Sequence, residues 1–312
     1  MGCERLRAKA EEELRARFGG RVKRDEPLAR HTSFRIGGPA DFWLEIEQPE
    51  EIALVQDWAR RFGLSCWLLG GGTNVLVSDL GVRGIVIRLG RSFAYSEWKP
   101  NGWSVRVRAG ASLSLKKLVL QAVEQDLTGL EFAEGIPGTV GGGLLMNAGA
   151  FGGELADVVL GVDLVTPEGR QIRVPREDLR FGYRHFDLPR GTVVTAVEFV
   201  LSRASHEAVW QRYCQAKEKR ERNQPRGLPN AGSIFKNPPG EYAGRLIEAV
   251  GLKGHRIGQA MFSPKHANFI VNLGGARAED VRQLMREAQR RVADHFGVHL
   301  EPEVRLIGEW RE

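Results

Sequence analysis

Glycine is distributed very unevenly along this chain, and this feature most limits what the chain can fold into. Eight glycines fall within residues 135–153, GIPGTVGGGLLMNAGAFGG. Glycine loses more backbone entropy on folding than any other residue, so this density indicates backbone that approaches a ligand or another segment closely. The block therefore predicts a binding site rather than an ordinary connection between two elements.

A second glycine cluster, GGGTN at residues 70–74, follows a short apolar, strand-like segment. Neither cluster contains the G-x-G-x-x-G fingerprint of dinucleotide-binding folds or the G-x-x-x-x-G-K-[ST] motif of a P-loop. Taken alone, residues 70–74 indicate either an ordinary turn with positive φ or a backbone cradle for an anion such as pyrophosphate. Together, the two clusters favour a large, flat, phosphorylated cofactor lying between two subdomains, and a dinucleotide suits that description.

Hydrophobic periodicity predicts a mixed α+β chain without internal repeats. The helical segments predicted from the spacing of apolar residues are 50–62, 114–125, 206–225 and 279–297, the last with Gly297 at its C-cap. The segments predicted as strands are 66–69, 84–89, 103–110, 158–166, 170–174, 191–201 and part of 301–310.

A charged segment with helical character begins at residue 202. It predicts a domain boundary there, because it follows a run of strand-like segments. We expect a two-part N-terminal domain, residues 1–84 and 85–201, that carries the glycine clusters. A smaller α/β domain is expected over residues 202–300, and a C-terminal strand, residues 301–312, is expected to return to the active site.

Composition narrows the function classes. The 312 residues include 42% hydrophobic and 27% charged residues, which is typical of a globular protein and excludes disordered and fibrous chains. The net charge of +6 favours an anionic small molecule or nucleic acid as ligand. The N-terminal residues carry charges from Glu4 onward and no later stretch is long and apolar, so we expect a cytoplasmic protein without a membrane partner.

Cysteine and histidine offer little support for a metal site or a disulfide framework. Cys3, Cys66 and Cys214 are far apart and form no C-x-x-C pair, which fits a reducing compartment. His295 and His299 lie four residues apart, but no third or fourth ligand completes a site. We therefore expect no bound metal.

Three polar residues stand out, each with an ordinary alternative. Ser233 lies in NAGSIFKNP, where turn-forming residues interrupt an apolar context. Arg184 follows an aromatic residue in FGYRHF and is suited either to a carboxylate or phosphate ligand or to a neighbouring acid. Glu303 lies in an apolar, strand-like segment and is either surface-facing or functional. Spacing alone leaves all three undecided.

Seven segments together resemble the bacterial UDP-N-acetylenolpyruvoylglucosamine reductases, the MurB family. They occur in the family's order and span nearly the whole chain: HTSFRIGGPAD (31–41), LLGGGTNVLVSD (68–79), GLEFAEGIPGTVGGGLLMNAGAFGGE (129–154), YRHF (183–186), NQPRGLPNAGSIFKNP (223–238), GLKGHRIGQAMFSPKHANFIVN (251–272) and LEPEVRLIG (300–308). Each segment by itself is a weak signal, whereas seven in order are a specific one.

The resemblance implies an α+β fold: a two-part FAD-binding domain of the vanillyl-alcohol-oxidase (PCMH) type, followed by a smaller α/β substrate-binding domain. It also implies NADPH-dependent reduction of UDP-N-acetylglucosamine enolpyruvate to UDP-N-acetylmuramate in peptidoglycan synthesis, with FAD bound non-covalently. In the family, hydride passes from flavin N5 to the substrate. Ser233 matches the family's proton donor, and Arg184 and Glu303 match the pair that stabilises the developing enolate.

The same resemblance implies which residues bind the ligands. Tyr183, Lys236 and Asn237 match positions that contact the UDP-sugar. The cofactor-binding positions are the glycines and their neighbours in the two clusters, Gly70, Gly71, Gly72, Thr73, Asn74, Gly135, Gly138, Thr139, Gly142, Asn147 and Gly149. No obligate protein partner is implied.

This chain departs from the family pattern at two positions. Phe186 replaces the serine that often ends Y-R-x-S, and Asn223 replaces the lysine that often precedes Q-P. The short distance from Arg184 to Ser233 resembles the second subtype of the family, which lacks an extra tyrosine-bearing loop.

Two other function classes are kept as hypotheses. The first is an FAD-dependent alcohol oxidase of the same fold, for which we expect that air alone reoxidises the reduced flavin. A non-enzymatic nucleic-acid-binding module, suggested by the basic pI of about 9.4, predicts steeply salt-dependent binding. The chain has neither an RNP-like aromatic motif nor zinc-finger spacing, so we expect no nucleic-acid partner.

Overall fold

The structure, a computed structural model, describes residues 2–310 and their side chains from residue 7 onward. The side chain of Cys3 therefore lies outside the described part. The α-helices are α1 (Gly2–Phe18), α2 (Pro49–Arg61), α3 (Leu115–Glu124), α4 (Val140–Leu145), α5 (His206–Asn223), α6 (Ala243–Ala249) and α7 (Ala278–Phe296). Short 3-10 turns lie at Gly19–Arg21, Leu28–His31, Arg91–Phe93, Glu131–Ala133, Leu155–Asp157 and Arg176–Asp178.

The strands are numbered along the chain in the same way. They are β1 (Lys23–Pro27), β2 (Pro39–Ile46), β3 (Ser65–Leu68), β4 (Val75–Val77), β5 (Val82–Leu89), β6 (Ser96–Asn101), β7 (Ser104–Gly110), β8 (Leu127–Thr128), β9 (Gly149–Ala150), β10 (Gly153–Glu154), β11 (Val159–Val165), β12 (Gln171–Pro175), β13 (Phe181–Gly182), β14 (His185–Phe186), β15 (Val193–Arg203), β16 (Asn230–Ser233), β17 (Arg256–Ile257), β18 (Ala260–Phe262), β19 (Phe269–Asn272) and β20 (Arg305–Ile307). The four helices predicted from periodicity correspond to α2, α3, α5 and α7, and the predicted strands to β3, β5, β7, β11, β12, β15 and β20.

The chain divides into two compact units. The first unit contains the chain up to Arg24 and the segments Phe42–Gly71 and Gly84–Glu218, whereas the second contains Asp25–Asp41, Gly72–Arg83 and the chain from Lys219 onward. This division differs from the predicted domains, because residues 25–41 and 72–83 group with the C-terminal part. The later boundary falls within α5 rather than at residue 202.

The first unit is built on an antiparallel sheet with the strand order β12-β11-β15-β7-β6, in which β8 also pairs with β15. Strand β3 pairs in parallel with β5, with Ser65 opposite Gly84. Helix α3 is capped at its N-terminus by Ser114, whose Oγ accepts a hydrogen bond from the N–H of Lys117 at 3.5 Å. Its apolar face packs into a core formed within this unit, as the periodicity predicted.

The second unit has its own core and an antiparallel sheet with the order β16-β19-β18-β17, and β20 pairs in parallel with β4. Helix α7 ends at Gly297, whose φ of 67° is the left-handed C-cap that the sequence predicted. At the other end of α7, the carboxylate of Asp79 accepts the N–H groups of Ala278 at 2.9 Å and Glu279 at 3.1 Å. This cap joins residues 72–83 to α7, because an acid at a helix N-terminus satisfies donors that have no partner within the helix, and the pairing of β4 with β20 joins them further to the C-terminal part.

Candidate functional site

The two glycine clusters meet within the first unit. A Cβ on Gly71 would lie 2.7 Å from the Cα of Gly138, closer than two such carbons can approach. Glycine at residue 71 is therefore required by the close approach of the two backbones. Beside this contact, Thr139 Oγ1 accepts the N–H of Gly142 at 3.2 Å and caps α4. The two clusters thus approach each other at Gly71 and Gly138, both of which belong to the first unit.

A pocket of the first unit opens at this meeting point. Three of its lining residues, Gly70, Thr139 and Gly142, are predicted cofactor-binding positions. The remaining lining residues are Leu68, Leu69, Arg88, Leu89, Ala111, Ser112, Gly141, Leu145, Leu188, Thr192 and Val194. Apolar walls combined with a few polar groups are typical of a site for a flat organic ligand.

Among the described residues that line this pocket, Arg88 is the one cation, and it was not predicted from the sequence. It lies near the end of β5, between the buried residues Ile87 and Leu89. Among residues 7–310, for which side chains are described, no acidic side chain forms an ion pair with Arg88. The sequence signal for Arg88 was weak, because β5 carries a second arginine, Arg83, among its apolar residues.

The GGGTN loop is shared between the units, because the boundary falls between Gly71 and Gly72. In the second unit, the carbonyl of Gly72 accepts the N–H of Ser33 at 3.0 Å. The side-chain amide of Asn74 donates to the carbonyl of Glu303 at 3.1 Å, and the carbonyl of Asn74 accepts the N–H of Arg305 at 3.0 Å. Asn74 thereby fixes the segment that carries Glu303, which precedes β20.

Arg184 lies in the turn of a short hairpin in the first unit. We call residues 181–186, which comprise β13, the turn and β14, the Arg184 hairpin. Arg184 has a φ of 54°, which is unusual for a residue with a side chain. Its Nη2 donates to the carbonyl of Gly149 at 2.8 Å, and its guanidinium lies 5.2 Å from the ring centroid of Tyr183. The guanidinium is therefore held in one direction.

The base of the Arg184 hairpin explains one departure from the family pattern. Phe186 is buried and pairs with Phe181, and the two rings stack with centroids 4.7 Å apart. A serine at this position forms no such contact, so Phe186 gives this hairpin an apolar base. Asn223, the other departure, is the last residue of α5.

Asn147 and Gly149 lie in the segment that the Arg184 hairpin contacts. Asn147 is fully buried, and its side-chain amide donates to the carbonyl of Gly182 at 3.1 Å. Its side-chain oxygen accepts the N–H of Ala156 at 3.0 Å. A Cβ on Gly149 would lie 2.7 Å from the carbonyl oxygen of Gly153. The structure thus places the side chain of Asn147 on backbone groups of the protein, whereas its role toward a cofactor stays a prediction.

Ser233 and Glu303 lie close together in the second unit. Ser233 is half-buried at the end of β16, opposite Phe269 of β19. The N–H of Ile234 donates to the carbonyl of Asn268 at 2.9 Å, and the carbonyl of Ile234 accepts the N–H of Glu303 at 2.8 Å. Backbone pairing through Ile234 therefore fixes both residues, whereas their roles in a reaction stay predictions.

The predicted substrate residues have visible partners within their own units. Lys236 Nζ lies 2.6 Å from the carboxylate of Glu301. The side-chain oxygen of Asn237 accepts the N–H of Ala243 at 3.1 Å, at the start of α6. Tyr183 is half exposed beside Arg184. Their contacts with substrate stay predictions.

The remaining sequence features gave no further site. Over residues 7–310, no group of three His, Cys, Asp or Glu side chains is arranged to hold a metal ion. The described helices include none that is both long and apolar enough to cross a membrane. Cys66 and Cys214 are free thiols, and burial raises the pKa of Cys66 to about 12.

Comparison with known proteins places these features in context. The family profile of an FAD-binding domain matches residues 40–175, and that of the C-terminal domain of UDP-N-acetylenolpyruvoylglucosamine reductase matches residues 224–307. The UDP-N-acetylenolpyruvoylglucosamine reductase of Anaeromyxobacter sp. (strain Fw109-5) is 48% identical over 299 residues, which cover 96% of this chain and 92% of that protein. The UDP-N-acetylenolpyruvoylglucosamine reductase 2 of Symbiobacterium thermophilum is 48% identical over 291 residues, or 93% of each chain.

A solved structure agrees with these sequence matches. The UDP-N-acetylenolpyruvylglucosamine reductase of Thermus caldophilus superposes with a TM-score of 0.79 at 40% identity, covering 92% of this chain and 98% of that one. These comparisons confirm the predicted α+β fold class, with a two-part FAD-binding domain followed by a smaller C-terminal domain.

Proposed function

The chain belongs to the UDP-N-acetylenolpyruvoylglucosamine reductase family, and from this premise we propose the reaction that it catalyses. The reaction is the NADPH-dependent, FAD-mediated reduction of UDP-N-acetylglucosamine enolpyruvate to UDP-N-acetylmuramate, a step of peptidoglycan synthesis. The observation that carries this proposal is that 48% identity extends over 96% of the chain, so that both the FAD-binding and C-terminal domains are included.

The backbone around the approach of the two glycine clusters fits an FAD cofactor. The close approach of Gly71 to Gly138 leaves backbone N–H groups without side chains over them, which suits a pyrophosphate. We propose that FAD is held by Gly70, Gly71, Gly72, Thr73, Asn74, Gly135, Gly138, Thr139, Gly142 and Gly149. Asn147, also predicted from the family resemblance, lies in the same segment, but both ends of its side-chain amide bond to protein backbone. When bound, FAD supplies the hydride chemistry, and the protein orients it and excludes competing reactions.

Arg184 is proposed to stabilise the negative charge that develops on the substrate carboxylate during reduction. A fixed cation stabilises this charge more than water does, because it needs no reorientation as the charge forms. The bond from Nη2 to the carbonyl of Gly149 and the left-handed backbone supply that fixed orientation. A planar guanidinium also matches a carboxylate with two parallel hydrogen bonds.

Ser233 is proposed to donate the proton that completes the reduction. A hydroxyl is a weak acid at neutral pH, so transfer requires a strongly basic carbon beside it and close positioning. Backbone hydrogen bonds on both sides of Ile234 provide that positioning. Glu303, whose main chain is joined to the same residue, is proposed to assist Arg184 in stabilising the developing enolate.

The substrate-binding residues are proposed to be Tyr183, Lys236 and Asn237. Lys236 is partly buried and paired with the exposed carboxylate of Glu301, so it presents a cation at the edge of the Ser233 strand. A cation at this position suits the diphosphate of a sugar nucleotide.

The experiment that tests the proposal is a visible absorption spectrum of the purified protein under anaerobic conditions. NADPH should bleach flavin bands, which we call the reductive half-reaction. UDP-N-acetylglucosamine enolpyruvate should restore them, which we call the oxidative half-reaction. Restoration by air alone, without an effect of the sugar nucleotide, would instead indicate an FAD-dependent alcohol oxidase. A protein that neither contains nor takes up flavin would refute both.

A further inference from the structure

Two hydrogen bonds join the Arg184 hairpin to the segment that follows α4. One runs from the side-chain amide of Asn147 to the carbonyl of Gly182, at 3.1 Å. The other runs in the opposite direction, from Arg184 Nη2 to the carbonyl of Gly149, at 2.8 Å. The turn that carries Arg184 is therefore tied to one neighbouring segment both through its backbone and through its guanidinium.

The amide of Asn147 uses both of its ends inside the protein. It is fully buried, donates to Gly182 and accepts the N–H of Ala156 at 3.0 Å. Buried amides are costly unless both ends are satisfied, so this side chain serves as a fixed bridge between two backbone segments. Few other side chains of this size offer a donor and an acceptor at opposite ends of one planar group.

Backbone conformation adds to this picture. Asn147 has a φ of 39°, Phe151 of 55° and Arg184 of 54°, so three residues with side chains adopt the left-handed region within these two segments. Such conformations persist where the surroundings hold them in place, and they concentrate at functional sites. Asparagine tolerates this region better than most residues, which suits it to residue 147.

We propose that Asn147 is a positioning residue for Arg184: it holds the hairpin turn so that the guanidinium lies against Gly149 in one orientation. This inference deepens the proposed function, on which it rests for the role of Arg184. A misplacement of about 1 Å in a group that stabilises the transition state costs on the order of 100-fold in rate. Asn147 thus acts on the reaction through the protein backbone.

The test compares Asn147→Asp with a matched control, Asn272→Asp. Aspartate keeps the shape and the bond to the N–H of Ala156, but it places an oxygen against the carbonyl of Gly182. Asn272, in the second unit, is the control because its side-chain amide has an environment similar to that of Asn147. It is buried, donates to the carbonyl of Phe34 at 3.0 Å and accepts two backbone N–H groups. Asn147→Gly, which adopts positive φ without strain and removes both bonds, is the second variant in case aspartate prevents folding.

The kinetic measurement is stopped-flow absorbance of both half-reactions on the FAD-containing proteins. We expect Asn147→Asp to retain FAD and keep its reductive rate within about twofold, while its oxidative rate falls about 10-fold to 100-fold. Asn272→Asp should leave the ratio of the two rates unchanged. In an Arg184→Ala background, Asn147→Asp should cause no further loss, because both changes remove the same oriented guanidinium. Loss of FAD, equal slowing of both half-reactions, or an undiminished effect in the Arg184→Ala background would overturn the proposal.

A second measurement does not depend on turnover. Protein labelled with ¹⁵N in its arginine side chains gives a guanidinium signal for Arg184, assigned by its absence in Arg184→Lys. We expect slow proton exchange at this signal in the parent and in Asn272→Asp, and fast exchange in Asn147→Asp. Unchanged exchange in Asn147→Asp would refute the positioning role. If Arg184→Ala leaves the oxidative half-reaction intact, the assigned role of Arg184 fails, whereas the exchange rates still decide whether Asn147 orients it.

Discussion

The two units hold their proposed catalytic side chains by different means. In the first unit, Arg184 is oriented by side-chain hydrogen bonds and by left-handed backbone at Arg184 and Asn147. In the second unit, Ser233 lies at the end of a paired strand and is followed by Ile234, whose N–H and carbonyl are both bonded to neighbouring backbone. The orientation of Arg184 depends on hydrogen bonds made by side chains, its own to Gly149 and that of Asn147 to Gly182, whereas Ser233 is positioned by its main chain.

This difference follows from the side chains themselves. Arginine has a long, flexible side chain with about 2 kcal/mol of rotamer entropy, so fixing its backbone alone leaves the guanidinium unplaced. Serine has one side-chain torsion before its hydroxyl, so fixing the strand nearly fixes the oxygen. We therefore expect substitutions around Arg184 to affect rate more than stability, and substitutions around Ser233 to affect stability more than rate, except at Ser233 itself.

The largest expected effect is that of Ser233→Ala. It should slow the oxidative half-reaction by about 100-fold to 10,000-fold, the range that a positioned proton donor contributes. The reductive half-reaction should be unchanged, because it needs no proton from this residue. Stopped-flow absorbance measures both rates. Equal slowing of both half-reactions would mean that Ser233 supports the structure of β16 and does not donate the proton.

Arg184→Lys is expected to have the next largest effect. Lysine keeps the charge, but it loses the planar fork and the orientation set by the bond to Gly149. The oxidative rate should fall about 100-fold to 1000-fold, as when an oriented donor at developing charge is removed, while FAD content and melting temperature stay near those of the parent. A colourless protein would show instead that Arg184 supports the FAD site.

Asn268→Ala tests the expectation that substitutions around Ser233 affect stability more than rate. The amide of Asn268 is buried, donates to the carbonyl of Phe235 at 2.8 Å and accepts the N–H of Phe235 at 3.0 Å. Its removal leaves two buried backbone groups unpaired, so unfolding free energy should fall by about 2 kcal/mol. Denaturant titration measures this loss. The two half-reactions of the folded fraction should slow to the same small extent, and a selective loss of the oxidative one would mean that side chains position Ser233 as well.

Arg88→Leu tests how the first unit binds the cofactor, because backbone glycines and the Arg88 side chain both line the proposed cofactor site. Removal of the cation should weaken FAD binding about tenfold and reduce the dependence of that binding on salt, because a charge contact with a phosphate is screened by ions. Fluorescence titration of FAD into apoprotein at two salt concentrations measures both. Unchanged affinity would leave the glycines as the whole of the phosphate site.

Much of the fold could be predicted from the sequence, because amphipathic periodicity and capping act locally. Helix α7 illustrates this, since its apolar stripe and Gly297 were enough to set its extent. The grouping of residues 72–83 with the C-terminal part could not be predicted, because its contacts are distant in sequence: β4 pairs with β20, and Asp79 caps a helix that begins 199 residues later in the chain. Long-range contacts of this kind leave no periodic signal.

Residues of the candidate site that lie in sequence motifs could be predicted. Contacts between segments that are distant in sequence could not. The motifs identified Arg184, Ser233 and Glu303, and the structure brings Ser233 and Glu303 together through Ile234. The side-chain contacts of Asn147 were not predictable, because the Gly182 carbonyl that it binds lies 35 residues away. Arg88 was missed because an arginine in a strand that also contains Arg83 resembles an ordinary surface residue.

The smallest expected effect concerns His266, which precedes Asn268 by two residues. Burial lowers the pKa of His266, and its Nδ1 accepts the N–H of Asn268 at 3.2 Å, so the folded state holds the neutral ring. The unfolded state takes up a proton at the ordinary histidine pKa of about 6.5, so this contribution to stability is complete above that pH and is lost as the pH falls below it. His266→Gln, which keeps an acceptor without titrating, should flatten the decline of unfolding free energy between neutral and mildly acidic pH, measured by denaturant titration at each pH. His299→Gln, at an exposed histidine, controls for loss of a histidine as such. An identical decline in His266→Gln and the parent would mean that the pH sensitivity of the second unit arises elsewhere.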